Sequence, residues 1–235
     1  AVGACALFCN TTGSYNTAFG FSAAKTTTTG LYNTAIGRTA LCANTGGDRN
    51  TALGMYSLLV ATASNNTGLG MGTLQCNTTG SENTASGVYA LCSNTTGSDN
   101  TAVGYNTMRS NTTGRYNTAV GFHSLCNNGS GIWNTALGTN ALKLTTGNYS
   151  TAVGGQALCA NQGGRNTAVG LNAMRLNTSG SCNTAMGDHA MYSNTTGCQN
   201  TASGWYSLFA NTTGNSNSAF GWCSLRNNTT GNHNT

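Results

Sequence analysis

The chain has 235 residues, of which only 6% are charged and 38% hydrophobic; it contains 33 glycines and no proline. Ordinary soluble domains carry about 25% charged residues, and disordered tails stay unfolded by being highly charged and weakly apolar, so this composition excludes a tail of that kind and points to order. The formal net charge of +5 comes from nine Lys and Arg against four Asp and Glu, scattered without the basic face that a nucleic-acid partner requires.

No stretch reaches the length of a membrane helix, and no signal peptide is recognisable, so membrane insertion is not expected. Ten cysteines without zinc-type C-x-x-C pairs point to an oxidising, extracellular setting rather than a metal site.

In chain order, the asparagine of an N-T-A-x-G motif recurs at Asn16, Asn33, Asn50, Asn66, Asn83, Asn100, Asn117 and Asn134. It returns at Asn166, Asn183, Asn200, Asn217 and Asn234, with Ser150 standing in once. The step is 17 residues, shortened to 16 at Asn50–Asn66, Asn134–Ser150 and Ser150–Asn166. The unit reads N-T-A-V-G-x-x-A-L-x-x-N-T-T-G-x-x, and its places are numbered here as phases 1 to 17.

Glycine fills phase 5 in all fourteen units, as at Gly3, Gly20, Gly37, Gly54, Gly104 and Gly121. It fills phase 15 in thirteen, with Ser64 read as the exception. Glycine fixed at two places implies a positive φ or a close backbone approach at each, and N-T-T-G reads as a turn ending in a left-handed glycine. Between the glycines lie two apolar doublets. Phases 3 and 4 pair Ala with a larger residue (Ala102-Val103, Ala119-Val120), and phases 8 and 9 pair a small residue with Leu or Met (Ala90-Leu91, Ser124-Leu125). Neither doublet follows the i, i+3, i+4 spacing of a helix, and each glycine would cost a helix about 1 kcal/mol.

The expected fold is therefore all-β: a single-domain β-solenoid over residues 1–235, a flattened two-strand β-roll of about fourteen 17-residue coils, uncapped. Coils stacked about 4.8 Å apart would extend roughly 67 Å. Stacking places Asn ladders at phases 1 and 12 and Thr ladders at phases 2 and 13.

Neighbouring side chains of a strand point to opposite faces, so one member of each doublet should fill the interior and the other face outward. Phase 3 is Ala throughout except at Gly68, as expected inside a tight coil; phase 4 varies in size and is twice serine, Ser86 and Ser203. An outward apolar stripe implies a lateral interface with copies of the same chain, with a three-fold bundle the expected form and a monomer whose turns cover the stripe the alternative. The chain begins at phase 3 and stops at phase 2 with Asn234-Thr235. Copies could thus stack head to tail in phase, or the sequence is a window of a longer repeat.

Residues that carry chemistry are dispersed. His123 and His189 share phase 7 but lie four coils apart, roughly 19 Å, and His233 is elsewhere, so no zinc site is expected. The four acids form no carboxylate pair or calcium loop, and no phosphate loop or nucleophile elbow occurs. The expectation is a chain with no catalytic residue, metal or cofactor. An aromatic stripe of Tyr56, Tyr89, Tyr105, Phe122, Trp205 and Trp222 could bind cell-surface glycans or cover the ends of the thin core. Asn10, Asn77, Asn94, Asn111, Asn194 and Asn211 each begin N-T-T, a formal glycosylation acceptor and equally the turn consensus. Disulfide geometry admits bridges between adjacent coils, which singles out Cys76–Cys92 and Cys182–Cys198, and Cys5–Cys223 between axially stacked copies.

The run from Asn100 to Gly114, N-T-A-V-G-Y-N-T-M-R-S-N-T-T-G, and its siblings along the whole chain resemble repeats in tail-fibre proteins of bacterial viruses. They are more distantly similar to the N-S-x-A-x-G coils in head domains of trimeric autotransporter adhesins. The resemblance implies a trimeric, extracellular, adhesive or shaft-like protein and carries over no catalytic residue. The leading expectation is a structural extracellular fibre, filament subunit or stalk; the alternative is an adhesin or receptor-binding module that recognises glycans. A lesser alternative is ice binding by the threonine ladders. Against it, phases 13 and 14 face opposite ways, and Ala61-Thr62-Ala63 and Asn161-Gln162-Gly163 interrupt the array.

Overall fold

A computed structural model describes all 235 residues, Ala1–Thr235. The protein is an all-β solenoid of stacked coils of about 17 residues, with one short strand per coil and no helix, so no helix is long and apolar enough to cross a membrane. Its contacts divide it into two compact units, Ala1–Asn117 and Thr118–Thr235.

The first unit holds β1 (Thr17–Phe19), β2 (Thr34–Ile36), β3 (Thr51–Leu53), β4 (Thr67–Leu69), β5 (Thr84–Ser86) and β6 (Thr101–Val103). Each pairs in parallel with the next, Thr on Thr and phase 3 on phase 3, and Val2 bridges to Phe19. The second unit holds β7 (Thr118–Val120), β8 (Thr135–Leu137), β9 (Thr151–Val153), β10 (Thr167–Val169), β11 (Thr184–Met186), β12 (Thr201–Ser203) and β13 (Ser218–Phe220). Its strands pair in the same order and register.

The strand alternates as its side chains require. Phase 3 is buried, as at Ala102 and Ala119, while phase 4 faces out, as at Val103 and Val120. The interior is thin: the alanine column lies inside the coil with phases 8 and 9, and Ala90, Leu91 and Leu125 are fully buried. A buried Leu or Met at phase 9 of each coil from Leu41 to Leu208 contributes about 1.5–3 kcal/mol of hydrophobic stabilisation.

The second side of the coil is not a strand. Phases 6 to 11 run through turns, and the backbone is left-handed at phases 7, 9 and 17 of each coil, as at Tyr89 (φ 57), Leu91 (φ 51) and Asp99 (φ 59). This is why both members of the second doublet are buried, where strict strand alternation would have turned one outward. The left-handed conformation costs an ordinary residue about 1–2 kcal/mol and suits β-branched side chains least. The sequence obeys that restriction: of the 41 non-glycine residues with positive φ, only Thr39 is β-branched. The alternation aims successive amides at both neighbouring coils. Tyr89 N–H donates to Met71 O (2.9 Å), and Leu91 and Ser93 donate to Thr107 O and Arg109 O (both 3.0 Å).

The two glycine phases differ in kind. Gly37 at phase 5 has φ +131°, and a Cβ there would stand 2.7 Å from Gly54 O. Gly30 at phase 15 has no left-handed backbone; a Cβ would meet Gly47 O at 2.6 Å and Asn33 Nδ2 at 2.9 Å. The N-T-T-G turn therefore needs glycine for close approach, and its left-handed residue comes two positions later, at phase 17. In the short coil that begins at Asn50, Asn50 Nδ2 donates to Ala63 O at 2.8 Å, so Ala63, not Ser64, occupies phase 15.

Candidate functional site

The most regular chemistry in the coil is a pair of buried asparagine columns. At phase 12, Asn94 Nδ2 donates to Asn77 Oδ1 and to Gly97 O (both 2.8 Å), and Asn111 Nδ2 donates to Asn94 Oδ1 (2.7 Å). At phase 1, Asn83 Oδ1 accepts the backbone N–H of Asn100 (3.1 Å), and Asn83 Nδ2 donates to Gly97 O (2.9 Å). Both columns thus converge on the phase 15 carbonyl. At phase 13, Thr112 O accepts the amides of Thr95, Thr96 and Gly97 together with Thr95 Oγ1 (2.9–3.2 Å). That hydroxyl is engaged between coils rather than offered to solvent as an ordered array.

Phase 16 carries a third rung that the sequence reading did not single out. Its side chain accepts the phase 16 amide of the preceding coil: Leu31 N–H to Asp48 Oδ1 (2.8 Å), Ser81 N–H to Ser98 Oγ (3.1 Å), Cys198 N–H to Asn215 Oδ1 (2.8 Å). The signal was available as the recurrence of Ser, Asn and Asp just before phase 17.

Five of the six formal glycosylation acceptors, Asn77, Asn94, Asn111, Asn194 and Asn211, belong to the phase 12 column and are fully buried, with Nδ2 bonded to the phase 15 carbonyl. A sugar on that nitrogen would break the bond and has no room inside the coil, so the acceptor reading is corrected for these five. Asn10 is exposed, with Nδ2 on Gly13 O at 3.0 Å.

All ten cysteines are thiols. Cys76 N–H donates to Cys92 O at 2.9 Å, yet Cys92 Sγ lies 3.8 Å from Gln75 Oε1, its own phase neighbour. Cys198 Sγ accepts Ser181 N–H at 3.3 Å in the phase 16 role, and Cys182 is exposed at phase 17. Neither intrachain bridge forms, because like phases stack and these pairs are one phase apart. Cys5 and Cys223 both sit on left-handed phase 7 backbone, the first exposed and the second half-buried.

Burial raises the Cys92 thiol pKa, helped by Cys76 and opposed by Arg109. Burial likewise raises that of Cys159, opposed by Lys143 and Arg175. Less thiolate means slower alkylation. With iodoacetamide at neutral pH, Cys76 and Cys182 should therefore react before Cys159, as read by peptide mass spectrometry; faster labelling of Cys159 would contradict this placement.

The aromatic residues of the expected stripe divide between phases 6 and 7. Tyr56 and Tyr89 sit at phase 7 with Gly72 between them and are covered by Arg38 (5.9 Å) and Arg109 (5.8 Å). Tyr105 and Phe122 are exposed at phase 6, in different units. Trp205 and Trp222 stack on each other, at 5.9 Å and 7°. A cluster outside the expected stripe joins His189, Tyr192, Tyr206 and Phe209. His189 Nδ1 pairs with Asp188 Oδ1, and Asn172 Nδ2 lies 3.2 Å from its Nε2. No three His, Cys, Asp or Glu side chains converge as metal ligands would.

Phase 4 forms the exposed apolar feature. Phe19, Ile36, Leu53, Leu69 and Val103 in the first unit, and Val120, Leu137, Met186 and Phe220 in the second, are 36–69% exposed. Comparison with known protein families, with curated proteins and with solved structures finds no match.

Proposed function

We propose that this chain is a structural module of an extracellular fibre or stalk, whose length is set by the number of coils and which associates laterally with copies of itself. The observation that carries this reading is the pair of asparagine columns. Within the first unit phase 1 links every coil from Asn16 to Asn117 by the same backbone-to-side-chain bond. Phase 12 adds buried amide bonds along Asn77, Asn94 and Asn111 there and along Asn161, Asn177, Asn194 and Asn211 in the second unit. Such a stack is stiff because bending would break bonds that have no solvent to replace them. The tail-fibre resemblance of the repeat supports the same reading.

Phase 4 supplies the lateral contact. Its residues repeat at the coil spacing, and a surface of the same period is offered by a second copy of the chain, as in paired β-sheets. Replacing Ile36, Leu53 and Leu69 with Asp should reduce the mass measured by light scattering to that of one chain while the strand signal in circular dichroism persists. A wild-type chain that is monomeric at every concentration, or a triple variant of unchanged mass, would remove the lateral contact.

A further inference from the structure

In the second unit the repeat departs from its consensus in four ways within one small region. The coils starting at Asn134 and Ser150 are each one residue short in the N-T-T-G turn; Thr145 replaces the phase 12 asparagine, and Ser150 replaces the phase 1 asparagine. The turn bonding changes with them. In a full coil three successive amides reach the next coil's phase 13 carbonyl, as Thr195, Thr196 and Gly197 do on Thr212. In the first short coil Gly147 N–H turns back to Thr145 Oγ1 at 3.3 Å; in the second, only Gln162 and Gly163 reach Thr178 O. The missing bulk leaves an open notch of about 410 Å³ whose walls include Thr146, Asn148, Tyr149, Gln162, Arg165 and Cys182. That volume lies in the range of small-ligand sites, about 300–1,000 Å³.

The walls are rich in donors and hold no acid. Asn148 Oδ1 is occupied by Ile132 N–H at 2.8 Å, which leaves its amide N–H groups to offer. Gln162 adds a second exposed amide and Thr146 a hydroxyl. Arg165 is exposed and makes no ion pair, the one such contact in the chain being His189 with Asp188. Its guanidinium lies 5.8 Å from the Tyr149 ring centroid, which holds the fork in place beside a half-exposed apolar surface. A fixed guanidinium suits a carboxylate, the amides and hydroxyl suit sugar hydroxyls, and the ring suits the C–H face of a pyranose.

We infer that this notch is a binding site for a carboxylated sugar residue of an acidic polysaccharide, with Arg165 on the carboxylate and Tyr149, Asn148 and Gln162 on the ring. The site does not depend on the fibre reading. The first unit contains its own control: Arg49 stacks on Tyr32 at 6.0 Å in the same phase, but the coils that carry this pair, 16–32 and 33–49, are both full length, whereas those of Tyr149 and Arg165 are both short.

Calorimetric titration of the whole chain with trigalacturonate tests the inference, with the neutral galactose trimer and inorganic phosphate as further probes. Trigalacturonate should bind at one site per chain and the neutral trimer about tenfold more weakly, because a charge-assisted fork is lost. Arg165→Gln should weaken trigalacturonate about tenfold, while Arg49→Gln leaves it unchanged. Inserting Asn between Leu144 and Thr145 restores N-T-T-G in the coil that starts at Asn134 and narrows the notch from that side without replacing any lining residue; it should weaken binding at least about tenfold while the Tm holds or rises. No binding by wild type, equal affinity for the neutral trimer, equal losses from Arg49→Gln and Arg165→Gln, or phosphate binding as tightly as the sugar would each overturn the site.

Discussion

Gly37→Ala should unfold the coils around it. At φ +131° a side chain is strained, at about 1–3 kcal/mol, and its Cβ would press on Gly54 O and C, both at 2.7 Å. Those are backbone atoms fixed by the next coil, so crowding adds about 1–3 kcal/mol. Together the two effects remove a large part of the 5–15 kcal/mol typical of a folded domain. Urea unfolding of the variant would show the midpoint shift; an unchanged midpoint would mean that the coils are not stacked as closely as described.

Asn94→Ala should be about as damaging for a different reason. It deletes three hydrogen bonds in a fully buried column and strips a partner from Asn77 Oδ1 and from Asn111 Nδ2. A buried polar group left unsatisfied costs about 1–3 kcal/mol, so the loss is about 3–5 kcal/mol. Asn94→Asp adds a pH signature. The new carboxyl would face two acceptors, Asn77 Oδ1 and Gly97 O, and must stay protonated to fit. Its folded pKa then lies above the unfolded value of about 3.9. Below about pH 4 both states are protonated and the charge penalty is absent; stability falls as the pH rises from there toward the folded pKa. A variant equally stable at pH 3 and pH 7 would contradict the buried position.

The parts of this fold that could be read from the sequence are those where identical residues stack. A 17-residue step placing Asn on Asn and Ala on Ala specifies the parallel register, the buried phase 3 and the asparagine columns, because each needs only like on like. The turn side was harder. Phases 6 to 11 carry an apolar doublet that resembles a strand, and what marks them otherwise is a restriction: residues such as Tyr89, Leu91 and Met108 sit where β-branched side chains are absent but for Thr39, in a chain full of Thr and Val. The two intrachain cysteine pairs do not form because a neighbour in coil number is not a neighbour in phase; Cys92 faces Gln75, not Cys76. The notch was hidden for a related reason. The short coils read as interruptions of a ladder, and only the folded turns show that the missing residues leave space beside Arg165 and Tyr149.

The stalk reading is tested most directly by adding coils. Three further copies of the segment Asn83–Asp99, inserted in phase after Asp99, should lengthen the particle by about 14 Å in small-angle scattering, at about 4.8 Å per coil. Thermal stability should hold or rise, since each added coil brings its own nearest-neighbour contacts. An insert that leaves the length unchanged and is cut by protease within the added segment would contradict the claim that length is set by coil number.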